Sequence, residues 1–457
     1  MSTQEAHSSD RQYQSSTTGA VTTLLIEPSY NVTYNFEAEL KNSSSIPYAV
    51  AINGVAKIEY AKKNRRVTSA GGKFTVEKVK QGQVVSLFLN SDASPAWRKQ
   101  PVYAVTVSDH DVEITITEKT GKCLETDKLT LKQHANPTVG AKNNADIYSA
   151  FLTGDIWMRV SHKYTPEEVE SRLPNGTSAV VKAAVSSIYQ GLREAELSMS
   201  EPGIAGKPPR TLAIDFKDSD NPNDNINKYT LRADGLPRVH PAGYAALFTA
   251  ALENNITSIT VSSCWRPMLG SIVHRIGLGL DVSILGGTVL NRQELRHAFA
   301  GKVPTGQGNH DDKDNVTDAE VTAFGKYEEA IKVKKAAEKA ENQAKKANKA
   351  DKQIDSLPKT DAAAKLATAN SVTDAASADM RAKEAAWDKT RNDGEPAHAS
   401  LFRASLLKCT CVGQLFDPWY MSSDAHSGKT ISNKQQSGLE ILHAHHLHIT
   451  IDDSTIL

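Results

Sequence analysis

The stretch SSCWRPMLGSIVHRIGLGLDVSIL, residues 262–285, decides how the chain around it is read. Its last eight residues predict a strand, because Leu280 and Val282 face one side and Asp281, between them, faces the other. Seven positions before Asp281 stands His274, with Gly277 and Gly279 in between. Glycine lets the backbone bend, so His274 can be turned toward the point that Asp281 faces. Working outward, TLAIDF (211–216) and ITSITVSS (256–263) predict strands on either side of an amphipathic helix, AGYAALFTAALENN (242–255). LHAHHLHITI (442–451) predicts a last strand. Helix and strand mixed in this way make residues 210–457 an α+β unit.

The last strand carries the second half of the pattern. HAHHLHI, residues 443–449, places four histidines in six residues of a chain that has 14. On an extended strand His446 and His448 share a face, about 6–7 Å apart at ~3.3 Å per residue. Histidine nitrogen and carboxylate oxygen are both ordinary zinc ligands. Three protein ligands with one open position are what a hydrolytic zinc site requires, since the ion acidifies water and polarises a scissile carbonyl. A histidine and an aspartate seven apart mean little alone; the conjunction with HAHHLHI carries the argument. An incidental His-rich strand is the bland alternative.

The rest of the chain divides by composition. Residues 1–19 are polar and predict disorder. Residues 20–133 contain eight short alternating segments, from TTLLIEP to VEITITE, separated by Gly, Asn, Ser and Asp turns. Such spacing predicts an N-terminal antiparallel β-sandwich, or a barrel, serving as a binding or delivery domain. Residues 134–209 predict a helical connector, starting at a Thr165-Pro166-Glu167-Glu168 capping box and continuing through TSAVVKAAVSSIYQGLREAEL. Residues 318–395 interrupt the 210–457 unit with an Ala/Lys-rich run that predicts two long helices turning back at SLPKT, the alternative being a charged linker.

Bulk properties narrow the partners. Lys+Arg and Asp+Glu both number 53 in 457 residues, so no net charge argues for a nucleic-acid partner. No apolar run reaches the roughly 20 residues of a membrane span. The polar start lacks the basic and apolar regions of a Sec signal, which predicts synthesis in the cytoplasm and export by another route. Cys123, Cys264, Cys409 and Cys411 are too scattered for a disulfide scaffold. They predict buried thiols, with a disulfide from Cys264 to Cys409 or Cys411 as the other reading. Asp215, Asp218, Asp220 and Asp224 lack the spacing of an EF-hand and read as a solvated turn, and NHDDKDN (309–315) reads as an exposed loop. Trp419 predicts packing near the site or in its core.

Together the two motifs resemble the LAS group of metallopeptidases, named for lysostaphin, D-alanyl-D-alanine peptidases and sonic hedgehog. In that group a H-x(6)-D motif and a later H-x-H supply the zinc site. Residues 274–281 match the first and His446-Leu447-His448 the second. Ser263-Cys264-Trp265-Arg266 is similar to the S-x-Y-R of the D-alanyl-D-alanine branch, whose arginine contacts a substrate carboxylate. Arg266 suits that role as a permanent, bidentate carboxylate binder, a surface ion pair being its bland reading. Ser271 lies three rather than two before His274, a departure from that branch's S-x-H. The branch also has a glutamate base where this chain has His445. His443-x-x-His446-x-His448 looks more like the penicillin-insensitive murein endopeptidases.

The resemblance covers roughly residues 230–285 and 400–451. It implies Zn2+ on His274, Asp281 and His448, with His446 as base or transition-state stabiliser and His443 as an auxiliary. Ser263 and Arg266 would meet substrate, and His445 would face away. The implied activity is a zinc-dependent peptidoglycan peptidase, an endopeptidase or a D,D-/L,D-carboxypeptidase. Joined to the expected export route, this suggests an antibacterial effector of a contractile, type VI-like secretion system acting in the target-cell periplasm. A secretion-apparatus carrier and an immunity protein would then be its partners. A phage-type endolysin and a non-hydrolytic, zinc-containing binding module are the alternatives.

Overall fold

The computed structural model describes residues 13–17, 20–24, 27–38, 46–56, 66–67, 72–89, 101–118, 131–134, 145–153, 162–203, 208–216, 235–266, 272–292, 315–351, 360–432 and 443–452. Between residues 30 and 152, period-two alternation builds two five-stranded sheets. The first runs in the order Lys132–His134, Ala145–Leu152, Asp111–Glu118, Tyr30–Ala38, Gly72–Val79. The second joins Val55–Ala56, Ile46–Ile52, Val84–Leu89 and Tyr103–Thr106, with Arg66–Val67 also paired to Ile46–Ile52. Val32, Tyr34, Val76 and Ile114 of the first sheet share a core with Val50, Val85, Leu87 and Val105 of the second. Tyr48 stacks on Phe74 across the two, with ring centroids 3.9 Å apart.

The sandwich is not purely antiparallel, as the sequence suggested. Asp111–Glu118 runs parallel to both of its neighbours. Alternation fixes which residues face the core but carries no strand direction. Parallel neighbours need long crossovers. The chain supplies one by threading the second sheet between Tyr30–Ala38 and Asp111–Glu118. Two further boundaries move. Tyr13–Thr17, expected to be disordered, pairs antiparallel with Ala20–Leu24. The connector is only partly helical, because ADIYSAFL (Ala145–Leu152) joins the first sheet. Its helices are α1 (Pro166–Arg172) and α2 (Ala179–Gly191). The capping box is present, with Thr165 N–H donating to Glu168 Oε2 at 2.8 Å. Residues 57–61, most of one of the eight alternating segments (AKIEYA, 56–61), lie outside the described residues.

A nine-stranded sheet organises the C-terminal half. Its strands are β1 (Glu196–Glu201), β2 (Arg210–Phe216), β3 (Ser258–Ser263), β4 (Gly279–Leu285), β5 (Thr288–Val289), β6 (Val412–Phe416), β7 (Tyr420–Ser422), β8 (Ile431–Ser432) and β9 (Leu447–Ile451). They lie in the order β1-β2-β3-β4-β9-β6-β7-β8, with β5 paired to β4. Only β2 and β3 are parallel, and α3 (Pro241–Glu253) makes their crossover. This helix is buried nearly all round rather than amphipathic. PAGYAALFTAAL has no charge before Glu253, and Gly243 lets the helix press onto Leu280 and Ile451 of the sheet.

Between β5 and β6 the insertion forms the expected pair of long helices, α5 (Asp318–Asp351) and α6 (Thr360–Gly394), packed against each other. Short α7 (Ala397–Lys408) returns the chain to the sheet. Ala330, Ala337, Ala362 and Ala376 are buried in the hairpin, which is what small residues at close approach achieve. Near its foot Phe324, Tyr327 and Trp387 make a separate aromatic core. On the outside, pairs such as Lys334–Glu338 at 3.3 Å and Lys365–Asp361 at 2.7 Å follow i,i+4 spacing. Among the described residues no helix is long and apolar enough to cross a membrane.

Candidate metal centre

Sheet register assembles one row of side chains. Ser263 lies opposite Asp281, Asp281 opposite His448, and His448 opposite Phe416, across β3, β4, β9 and β6. Opposed residues on adjacent strands point to one face with Cβ atoms about 5 Å apart. Asp281 and His448, 167 positions apart in sequence, thus become neighbours, and His448 Nδ1 and Asp281 Oδ1 are 2.7 Å apart.

His274 reaches the row from α4 (Ile272–Arg275), a single turn just before β4. Gly277 reverses the chain there with φ +74, and a Cβ on it would fall 2.0 Å from the Arg238 carbonyl oxygen. Gly279 serves a different need. A Cβ there would lie 3.0 Å from His274 Nδ1, so the missing side chain is the space the imidazole occupies. The ring is fixed further by its Nδ1–H, which donates to the Cys264 carbonyl at 2.6 Å. That bond leaves Nε2 as the lone pair, 3.2 Å from Asp281 Oδ2. Gly279→Ala is expected to displace the ring and lower metal affinity by about 10-fold in a chelator-competition titration. Unchanged affinity would mean that this packing does not aim His274.

The donor set fits a divalent ion. His274, Asp281 and His448 each offer one ligand atom, all within 4.8 Å of one another, and all three residues are buried. Ligands at ~2.0–2.1 Å from a tetrahedral ion stand about 3.3 Å apart. Burial drives the His274 imidazole down to about 4, against the pull of Asp281. Burial pushes the Asp281 carboxyl up, but the histidine rings gathered around it outweigh burial and hold the group well below its usual range. Neutral imidazole and ionised carboxylate are the forms that bind metal.

The histidine-rich segment departs from expectation. Strand begins only at Leu447, and residues 443–446 form a turn and bend. His446 lies beside the row, with Nε2 3.4 Å from Asp281 Oδ1 and its ring 6.3 Å from that of His448. Burial holds its pKa well below 6.5. His443 folds back over the same place, its ring 5.0 Å from His448 and 4.8 Å from Phe416. His445 does not simply face away. Strict alternation is lost in a turn, and its ring meets that of His446 edge-on at 4.3 Å.

Arg266 is 32% exposed, and its Nη2 lies 3.6 Å from Asp281 Oδ2. It reaches the metal group itself. Ser263 is half-buried beside Asp281. Sequence reasoning missed three contributors: the Cys264 carbonyl, Phe416 and Thr450, whose Oγ1 lies 3.1 Å from His448 Nε2. Thr450 was within reach, being two positions beyond His448 on the same strand face.

Among the described residues Cys264, Cys409 and Cys411 form no disulfide with one another and belong to neither metal-binding group. Cys123 lies outside the described residues, as do Asp218, Asp220, Asp224 and residues 309–314. Asp215 is exposed on β2. Trp419 is buried beneath the Arg292 guanidinium, 4.5 Å from its ring centroid.

No protein-family model matches the chain, and no solved structure matches it. Two proteins named as dihydroorotate dehydrogenase A (fumarate), from Streptococcus pyogenes serotype M18 (strain MGAS8232) and serotype M1, are each 31% identical to it over 99 residues. The match takes in 22% of this chain, which spans 30% of the length of these curated relatives. A likeness of that extent shows no family.

Proposed function

We propose that this centre holds zinc on His274, Asp281 and His448 and that the chain is a LAS-type peptidase acting on the peptide part of bacterial peptidoglycan. One observation carries the reading: two imidazoles and a carboxylate from distant segments converge within 4.8 Å. A further pair of histidines stands beside them. Mixed nitrogen and oxygen donors suit zinc. Bound there, the ion would supply Lewis acidity toward a carbonyl oxygen and acidify water.

The protein's own groups supply the rest. His446, its Nε2 3.4 Å from Asp281 Oδ1, accepts the proton that attack of water releases. His443 stands beside it with ring centroids 5.3 Å apart and stabilises the charge that forms. Arg266, at the partly open side, binds a substrate carboxylate by a two-pronged contact. The β-sandwich serves as the binding or delivery domain, and delivery through a contractile apparatus to a target periplasm, with a carrier and an immunity protein, completes the proposal.

Purified peptidoglycan incubated with the protein, with and without chelator, tests it through mass spectrometry of the products. New peptide ends that vanish with chelator are expected. His446→Ala should lower hydrolysis by roughly 10²–10⁴-fold, the range of a general base, while the metal stays bound. Retained metal without cleavage of any muropeptide by the unaltered protein would leave a binding module instead.

A further inference from the structure

The histidine-rich turn contains a second metal-binding group. His443, His446 and His448 each offer a ring nitrogen, and these too lie within 4.8 Å of one another. Their ring planes are inclined by 63°, 50° and 76°, so the rings converge from three directions rather than stack. His446 and His448 are buried and His443 is half-buried, which opens the group toward solvent on the His443 side.

The two groups share His448. An imidazole that binds a metal through one nitrogen keeps a proton on the other, so His448 serves one ion at a time. Its Nδ1 faces Asp281 at 2.7 Å and its Nε2 faces Thr450 Oγ1 at 3.1 Å. The Asp281 carboxylate stands between the groups, Oδ2 toward His274 at 3.2 Å and Oδ1 toward His446 at 3.4 Å. An anionic group between two cations is what lets paired divalent ions sit side by side in one centre.

We propose that the centre has two overlapping positions for divalent transition-metal ions. The first is His274–Asp281–His448. The second rests on His443 and His446 and takes His448 as a third ligand only when the first is empty. Without a carboxylate of its own, the second position is the weaker. Its all-imidazole donors select Co2+, Ni2+, Cu2+ and Zn2+ over Mg2+ and Ca2+. An ion there occupies the nitrogen lone pairs that must accept and stabilise the proton during hydrolysis. Excess metal therefore switches the reaction off, a consequence that rests on the peptidase reading, whereas the binding does not.

Titration of the metal-free full chain with Co2+, followed by calorimetry and visible absorption, tests the binding. The unaltered protein is expected to take two equivalents in two separate phases. His443→Ala should take one, the tight one. His274→Ala should also take one, weakly, and lose it when His443→Ala is added. A single equivalent in the unaltered protein, or two in His443→Ala, overturns the proposal. So does no binding by His274→Ala with an unchanged circular dichroism spectrum. The unaltered protein's titration stands without any variant. Hydrolysis measured at one and at two equivalents of zinc separates the claims. Loss at the second supports the switch, and unchanged hydrolysis overturns it. Two bound equivalents with no hydrolysis at either loading would overturn the peptidase reading and support the two positions.

Discussion

Asp281→Asn is expected to weaken metal binding by more than about 100-fold, beyond the 10–100-fold cost of losing a partner that only orients a ligand. Hydrolysis should fall with it. Asp281 is the hub of the centre: His448 lies 2.7 Å from its carboxylate, His274 3.2 Å, His446 3.4 Å and Arg266 3.6 Å. The amide keeps the shape but removes the charge, and it turns a donor toward His448 Nδ1 or the Arg266 guanidinium, which face an acceptor. Thermal unfolding with and without zinc reads the effect. At a free metal concentration 1,000 times the dissociation constant, binding stabilises by about 4 kcal/mol, and a 100-fold loss leaves about 1.4 kcal/mol. The remaining binding belongs to the His443–His446–His448 position. If the variant keeps the full metal-induced rise in melting temperature, the ion is held by the histidine turn first, and the pairing of residues 274 and 281 is not the metal site.

The main features of the centre could be read from residue order, because strand periodicity is strict. Asp281 between Leu280 and Val282, and His448 between Leu447 and Ile449, each had to face away from apolar neighbours. Glycines at 277 and 279 marked the bend that brings in His274. What stayed hidden is carried by the backbone or by long-range order. The carbonyl that fixes the His274 tautomer belongs to Cys264, but any residue at that position would present one. The turn at 443–446 has neither glycine nor proline to announce it. Parallel pairing of Asp111–Glu118 on both sides leaves no mark in an alternating pattern. Helix α3 reads as amphipathic from its sequence, but its burial depends on α2, α7 and the sheet closing around it. The insertion was legible as two helices from the helix propensity of its Ala/Lys-rich run on either side of SLPKT, but its attachment was not.

That attachment yields the other large effect. Arg292 and Glu320 are each 1% exposed and form an ion pair where the foot of α5 meets the sheet domain. The Arg292 guanidinium also donates to the Asn315 carbonyl at 2.9 Å and lies over the Trp419 ring. Trp387 of α6 donates its indole N–H to Glu320 at 3.4 Å. Glu320→Ala leaves a guanidinium buried without its counter-charge, a change that costs about 3–5 kcal/mol. At about 2–4 °C per kcal/mol for a domain of this size, the melting temperature should fall by roughly 10 °C. Replacing both partners by apolar residues, Arg292→Met with Glu320→Leu, should recover most of the loss, because neither charge then has to be desolvated. The metal centre should respond differently from the hairpin. Arg292 holds the histidine turn through its backbone N–H, which donates to the Ala444 carbonyl at 2.7 Å and is untouched by either substitution. Below the melting transition the double variant should therefore bind metal as tightly as the unaltered protein. If Glu320→Ala melts within about 1 kcal/mol of the unaltered protein, the ion pair is hydrated and the hairpin is held by its aromatic core alone.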